Sequence, residues 1–161
     1  MTGSPLSFRV PPVRKKARLA IPQELAFERF TARIAQWWPL STHSVGRQEA
    51  QSCAIEPWAG GRVYEVSASG DEHLWGYVED WEPPARLAMR WFPGRDESCA
   101  QRVVVEFTAV GPGETDVALT HSGWEMLGAD AEQARSSYEQ GWEEVLVRRF
   151  ATFAGGEGGS R

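Results

Sequence analysis

Near its C-terminus the chain carries one long helical stretch, Ala129 to Phe153. Tyr138, Trp142, Val145, Leu146, Arg149, Phe150 and Phe153 recur at i, i+3 and i+4 and draw a single stripe. Such a stripe cannot be buried by the helix alone. The segments before it offer a partner. Ser52–Glu56, Arg62–Ala68, His73–Trp81, Arg86–Phe92, Arg102–Val110 and Thr115–Ser122 read as strands with one apolar face. Pro57 with Gly60-Gly61, Ser69-Gly70-Asp71, Pro83-Pro84, Pro93-Gly94 and Gly111-Pro112-Gly113 separate them as turns. An antiparallel sheet curled round one terminal helix buries every apolar face at once, so an α+β domain is expected.

The rest of the chain fits that plan. Val13 to Leu19 alternates, with Val13, Lys15, Ala17 and Leu19 on one face and Arg14, Lys16 and Arg18 on the other. This suits an edge strand with a charged outer face, although the basic run could also meet nucleic acid. Pro22 opens a helix through Leu25, Ala26, Arg29 and Phe30. Thr31 is placed to cap a second short helix, Ala32 to Trp38, which Pro39 ends. Asp130 is the expected N-cap of the long helix, with Gln133 as its capping-box partner, and Gly155-Gly156 the expected stop. Residues 1–12 read as a flexible leader, 13–155 as a single domain and 156–161 as a mobile tail.

Composition narrows the function. The chain has 161 residues and a net charge of −5, which argues against a protein held to nucleic acid by phosphate contacts. No apolar run approaches a membrane span, and the N-terminus lacks a signal-peptide core, so a cytoplasmic protein is expected. Cys53 and Cys99 form no CxxC pair and are expected as reduced thiols. His43, His73 and His121 are dispersed, and no phosphate loop is present; neither metal, nucleotide nor other cofactor is expected.

Eight tryptophans, seven phenylalanines and three tyrosines are the unusual feature. Each buried indole needs a partner for its N–H. Trp38, Trp91, Trp124 and Trp142 fall on four different elements. They line a cavity between sheet and helix, or they fill the core. Gly141 and Gly76 are candidates for leaving a gap there. His121 closes an apolar strand face before Ser122-Gly123-Trp124. It is either a polar group at the cavity mouth or a histidine satisfied by the backbone. Glu65 shares the inward face of its strand with Val63: buried, it needs a partner or rises in pKa to become a potential acid or base, and otherwise a bulge or edge position lets it reach water. Glu79 and Asp80 lie on opposite faces and make no carboxylate pair.

The chain resembles the START-like (SRPBCC) superfamily, and within it the family of the activator of heat-shock protein 90 ATPase, over about Val13 to Gly155. The likeness rests on the Pro22 helix followed by Trp37-Trp38-Pro39, on Gly60-Gly61-Arg62 and on Gly76-Tyr77-Val78. It continues through Pro83-Pro84-Ala85-Arg86-Leu87 with Trp91, Thr120-His121-Ser122-Gly123-Trp124, and Gly141-Trp142. The resemblance implies a helix-grip (Bet v-like) fold and a cavity for apolar ligands, without a shared catalytic motif. The family's eukaryotic co-chaperone has a separate N-terminal domain. Nothing before Val13 is long enough to match it, so chaperone activation is not the expected role.

The leading expectation is a non-enzymatic module for a small apolar or aromatic ligand, bound by Trp38, Trp91, His121, Trp124 and Trp142. The alternatives are a cyclase or dehydratase using the same cavity, with His121 and Glu65 as acid and base, and a protein-interaction adaptor.

Overall fold

The computed structural model describes residues 10–159, with side chains through residue 155. Seven strands form one antiparallel sheet: β1 (Val13–Leu19), β2 (Ala50–Ile55), β3 (Arg62–Ser67), β4 (Glu72–Glu82), β5 (Arg86–Trp91), β6 (Gln101–Gly111) and β7 (Glu114–Ser122). Their order is β1-β7-β6-β5-β4-β3-β2, so every neighbour from β2 to β7 is joined in sequence and β1 closes onto the last strand. Helices α1 (Gln23–Thr31) and α2 (Ile34–Trp37) follow β1. The long terminal helix, α3, runs from Ala131 to Gly159. This is the expected curled sheet around a terminal helix.

Register shifts curl the sheet. They fall between Val63 and Tyr64 on β3, between Val78 and Asp80 on β4, between Ala50 and Ser52 on edge strand β2, and between Ala109 and Gly111 at the β6 end of the β6–β7 hairpin. A bulge adds a residue to one strand and bends it. At the first of these, Gly76 lets two strands pass closely: a Cβ there would stand 1.8 Å from the backbone oxygen of Arg90. Gly76 therefore serves strand packing rather than a gap beneath the helix. The inward faces carry Val63, Leu87, Met89, Val103, Val105, Phe107, Val117 and Leu119, all buried.

Helix α3 departs from the simple stripe. It is α-helical over Ala131–Trp142, π-helical over Glu143–Phe150 and α-helical again over Ala151–Gly159. Trp142, Leu146, Phe150 and Ala154 are its buried series, with Val145 beside them. A strict four-residue repeat drifts by about 40° per step on an ordinary helix. Wider winding keeps these residues facing the sheet. For the same reason Arg149 is exposed and Phe153 half-buried, although both were expected in the stripe.

The expected caps are replaced by other contacts. Thr31 belongs to α1, where its Oγ1 donates to Phe27 O at 2.8 Å, and α2 begins after Arg33. Asp130 does stand at the N-cap position before Ala131, but as the last residue of a 3-10 stretch, Trp124–Asp130, it has helical backbone angles and its side chain makes no capping hydrogen bond. The helix passes Gly155-Gly156 instead of ending there. Of the expected leader, residues 1–9 lie outside the described residues. The carbonyls of Pro11 and Pro12 accept from Arg135 at 2.6 and 3.0 Å. Of the expected tail, residues 160–161 lie outside the described residues. The helix is also tied to the edge strand: Lys15 on β1 donates to Glu139 and Glu143 at 2.7 and 3.0 Å, which lifts its pKa.

The close approach at Gly76 generates a test. Gly76→Ala should lose about 3 kcal/mol or more in urea denaturation, because a backbone oxygen blocks the new methyl. A loss below about 1 kcal/mol would mean that the strands separate freely.

Candidate functional site

One end of the sheet collects the polar inward residues. Glu65 on β3, Trp75 on β4, Trp91 on β5, Gln101 on β6 and His121 on β7 all point to the core. Pairings Gly76↔Trp91, Trp91↔Gln101 and Val103↔His121 set them close across neighbouring strands. Helix α3 crosses this end with Tyr138 and Trp142, and α2 delivers Trp38 from the other side.

Four indoles meet there. Trp38 lies 5.0 Å from Trp75, 6.1 Å from Trp91 and 5.8 Å from Trp142, centroid to centroid. Trp91 lies 5.8 Å from Trp75 and 5.6 Å from Trp142. Each N–H has its own acceptor. Trp38 donates to His43 O at 2.6 Å, Trp75 to Glu65 Oε1 at 2.5 Å, Trp91 to Tyr138 Oη at 3.2 Å and Trp142 to His121 Nδ1 at 3.0 Å. The rings are thereby locked.

The indoles pack on one another, yet one side of the cluster stays open. A pocket of about 750 Å³ lies against it. Trp38, Trp75, Trp91 and Trp142 form its floor, and Tyr138 and Val145 one wall. Its mouth is built by Thr42 to Arg47, by Pro93-Gly94 and by the Ser137–Gly141 face of α3. Gly141 is part of the gap as expected: a Cβ there would meet the His43 ring at 3.7 Å.

His121 and Trp124 do not line this pocket. They stack on each other at 4.1 Å, behind Tyr138 and Trp142. His121 is fully buried. An indole can only donate, so Nδ1 is the acceptor and Nε2 carries the hydrogen toward Gln101 Oε1 at 3.1 Å. Burial pushes its pKa down to about 3. A histidine with both nitrogens engaged and no path to the pocket cannot shuttle protons for a ligand there. The Trp124 N–H is buried without a partner among the described residues.

Glu65 is also fully buried. Its Oε1 accepts from Trp75 Nε1 and from Val45 N at 2.7 Å, and Oε2 accepts from Gly46 N at 2.7 Å. Three donors saturate the carboxylate. It holds the mouth loop onto the sheet, as a buried carboxylate with partners rather than one that reaches water. Beside it, burial and the Glu65 charge push the Cys53 thiol up to about 12. Cys53 and Cys99 are free thiols. Among the described residues, no three His, Cys, Asp or Glu gather as a metal site.

Sequence reasoning missed Trp75, Tyr138, His43 and Arg47 as pocket residues. The bulge at Gly76 sets Trp75 and Gly76 both inward, which strict alternation hides. Tyr138 was read as helix stripe, and residues 40–50 only as a polar loop. The signal available was a histidine, His43, three residues before Gly46-Arg47, in a loop following Trp-Trp-Pro.

The buried histidine makes stability depend on pH. Its folded pKa lies below its unfolded value near 6.5, so its neutral form supports folding above that pH. Stability should fall as pH drops from about 6.5 toward 3, with a slope approaching roughly 1.4 kcal/mol per pH unit from this group. His121→Asn should be less stable at pH 7 but flatter across that window in urea titrations. Equal slopes in both proteins would show that His121 protonates without unfolding.

Comparison with known proteins follows the same lines. The family model of the Activator of Hsp90 ATPase homolog 1-like protein matches residues 20–155. No curated protein matches the chain significantly. Among solved structures, an anthrahydroquino-γ-pyrone synthase, Txn09, is 35% identical, with a TM-score of 0.62, covering 89% of this chain and 97% of its own. The self-sacrificing resistance protein CalC from Micromonospora echinospora is 23% identical, with a TM-score of 0.68, over 94% of this chain and 98% of its own. PFC0360w, an HSP90 activator from Plasmodium falciparum, is 21% identical, with a TM-score of 0.55, over 86% and 96%. The last two likenesses are of fold. With most of its length under the family model and the helix-grip architecture in place, this chain belongs to the Activator of Hsp90 ATPase homolog 1-like family of START-like domains.

Proposed function

We propose that this protein is a small-molecule binding module whose ligand is a flat, polycyclic aromatic compound. The pocket against the four locked indoles carries the reading. Its volume of about 750 Å³ lies within the usual 300–1,000 Å³ of ligand sites. Trp38, Trp91 and Trp142 are its contact surface. His121 and Trp124 support that surface from behind, His121 by accepting the Trp142 N–H. Rigid aromatic walls favour flat rings, because stacking needs no rearrangement of the protein. The likeness to a synthase named for an anthrahydroquinone and a pyrone points to the same ligand shape.

A cyclase-type enzyme using the same cavity is the second reading, favoured by 35% identity to that synthase. Turnover separates the two: an enzyme converts a precursor at substoichiometric protein, and a binder does not. An adaptor role has less support. Among the described residues the exposed large apolar side chains are Val45, Trp58, Val110 and Met126, one in each of four segments. A contiguous patch would be the mark of a docking face.

A neutral anthraquinone should quench the indole fluorescence and raise the melting temperature by mass action. Gly141→Leu should weaken that binding at least ~10-fold by filling the pocket, an effect of about 1.4 kcal/mol. The fold should not suffer, since a mid-helix glycine costs about 1 kcal/mol relative to alanine. Equal affinity in both proteins, or no response in either, would remove this reading.

A further inference from the structure

The mouth of the pocket holds two groups that neither the core nor the walls use. The first is His43. Its Nδ1 lies 2.7 Å from Thr42 Oγ1, and Thr42 Oγ1 donates to Pro39 O at 3.4 Å. In the tautomer with its hydrogen on Nδ1, the ring donates to Thr42 Oγ1 and Nε2 holds the lone pair. Nε2 faces α3 at Gly141, where even an added Cβ would stand 3.9 Å away. With no side chain there, the nitrogen opens on the cavity.

The second is Arg47, an exposed side chain on the pocket lip. No carboxylate among the described residues pairs with it. Its backbone φ of 54° lies in the left-handed region, uncommon for a residue other than glycine. The loop is held in that shape from beneath. Arg47 N–H donates to Ser44 Oγ at 2.8 Å, while Val45 and Gly46 donate to buried Glu65. A base and an unpaired cation thus share the rim of an aromatic pocket, on a loop fixed by a buried carboxylate.

We propose that the pocket selects aromatic ligands bearing an acidic ring hydroxyl, with His43 Nε2 accepting the hydroxyl proton and Arg47 supplying the positive charge for the oxyanion. This rests on the pocket being a ligand site. In the step the ligand O–H bond breaks and its electron pair stays on oxygen. An N–H bond forms on Nε2, while the other hydrogen stays on Nδ1 and is donated to Thr42 Oγ1. A phenolate and an imidazolium appear together, and no other reactant is needed. In the free protein burial, with Arg47 and Arg149, lowers the pKa of the ring, and Glu144 acts in the opposite sense. A bound phenolate adds the opposite charge that shifts the balance. The aromatic floor lowers the local dielectric and strengthens the pair.

The test uses 2-hydroxyanthraquinone, whose phenolate absorbs at longer wavelength than its phenol, at a pH where the probe alone is un-ionised in buffer. Indole quenching reports occupancy, and the visible band reports proton transfer. Wild-type protein should show both. His43→Gln should keep quenching within about 3-fold in affinity and lose the phenolate band. Arg47→Gln should weaken the band and lower affinity ~10-fold, or about 1.4 kcal/mol. Quenching without the band in wild type, or a band that survives His43→Gln, overturns the proposal and leaves the binding reading standing. Absence of quenching with this probe and with neutral anthraquinone overturns both.

Discussion

A buried indole must place its N–H against an acceptor or lose the free energy of that hydrogen bond. Four such bonds organise this molecule. Each takes its acceptor from a different element: a loop carbonyl at His43, a strand carboxylate at Glu65, a helix hydroxyl at Tyr138 and a strand imidazole at His121. The set is therefore a cross-brace between α2, the sheet and α3. It fixes ring positions that van der Waals packing alone would leave free to slide. It also explains how so many aromatic rings can border open space: their orientation does not depend on being enclosed.

The same satisfaction rule decides the fate of the two polar residues in the core. Glu65 and His121 were the plausible acid and base, being titratable and inward-facing. Burial without water gave each of them a structural duty. Glu65 takes three N–H donors, and two of them are backbone amides of the pocket mouth. His121 is held neutral between an indole donor and a glutamine oxygen. Both act on the pocket indirectly. Glu65 shapes its lip and His121 orients the Trp142 wall.

The fold was legible because its signals repeat. Seven alternating segments, turn residues between them and one striped helix each vote for the same architecture, so a local error costs little. The site depended on features without period. Strict alternation could not foresee that the bulge at Gly76 turns Trp75 inward. The i, i+3, i+4 stripe could not foresee a π-helical stretch that buries Ala154 and releases Arg149. Trp38, Trp91 and Trp142 border the pocket because an aromatic side chain at the sheet–helix junction has few places to go. Trp124 was grouped with them although it lies one layer behind. His43 and Arg47 were passed over because a polar loop carries no pattern; their placement comes from Glu65, twenty residues away from Val45 in sequence.

The division between core and mouth follows from the same physics. A chemically active group must exchange protons or contacts with a ligand, and a fully bonded group in a dry core can do neither. At the sealed end of the sheet Glu65 and His121 are engaged by hydrogen bonds, and the Trp124 N–H is the buried group left without a partner among the described residues. Polar groups free to meet a ligand are left to the segment that the core can position without enclosing. That segment is the loop from Thr42 to Arg47, held by Glu65 beneath and bordered by the bare backbone of Gly141. Its side chains border the pocket, whereas the indole brace meets this loop through the His43 backbone carbonyl. A substitution at Glu65 or His121 disturbs the brace first and the ligand second. The same helix-grip frame can therefore carry different ligand chemistries at its rim without repacking the tryptophans that make up its floor.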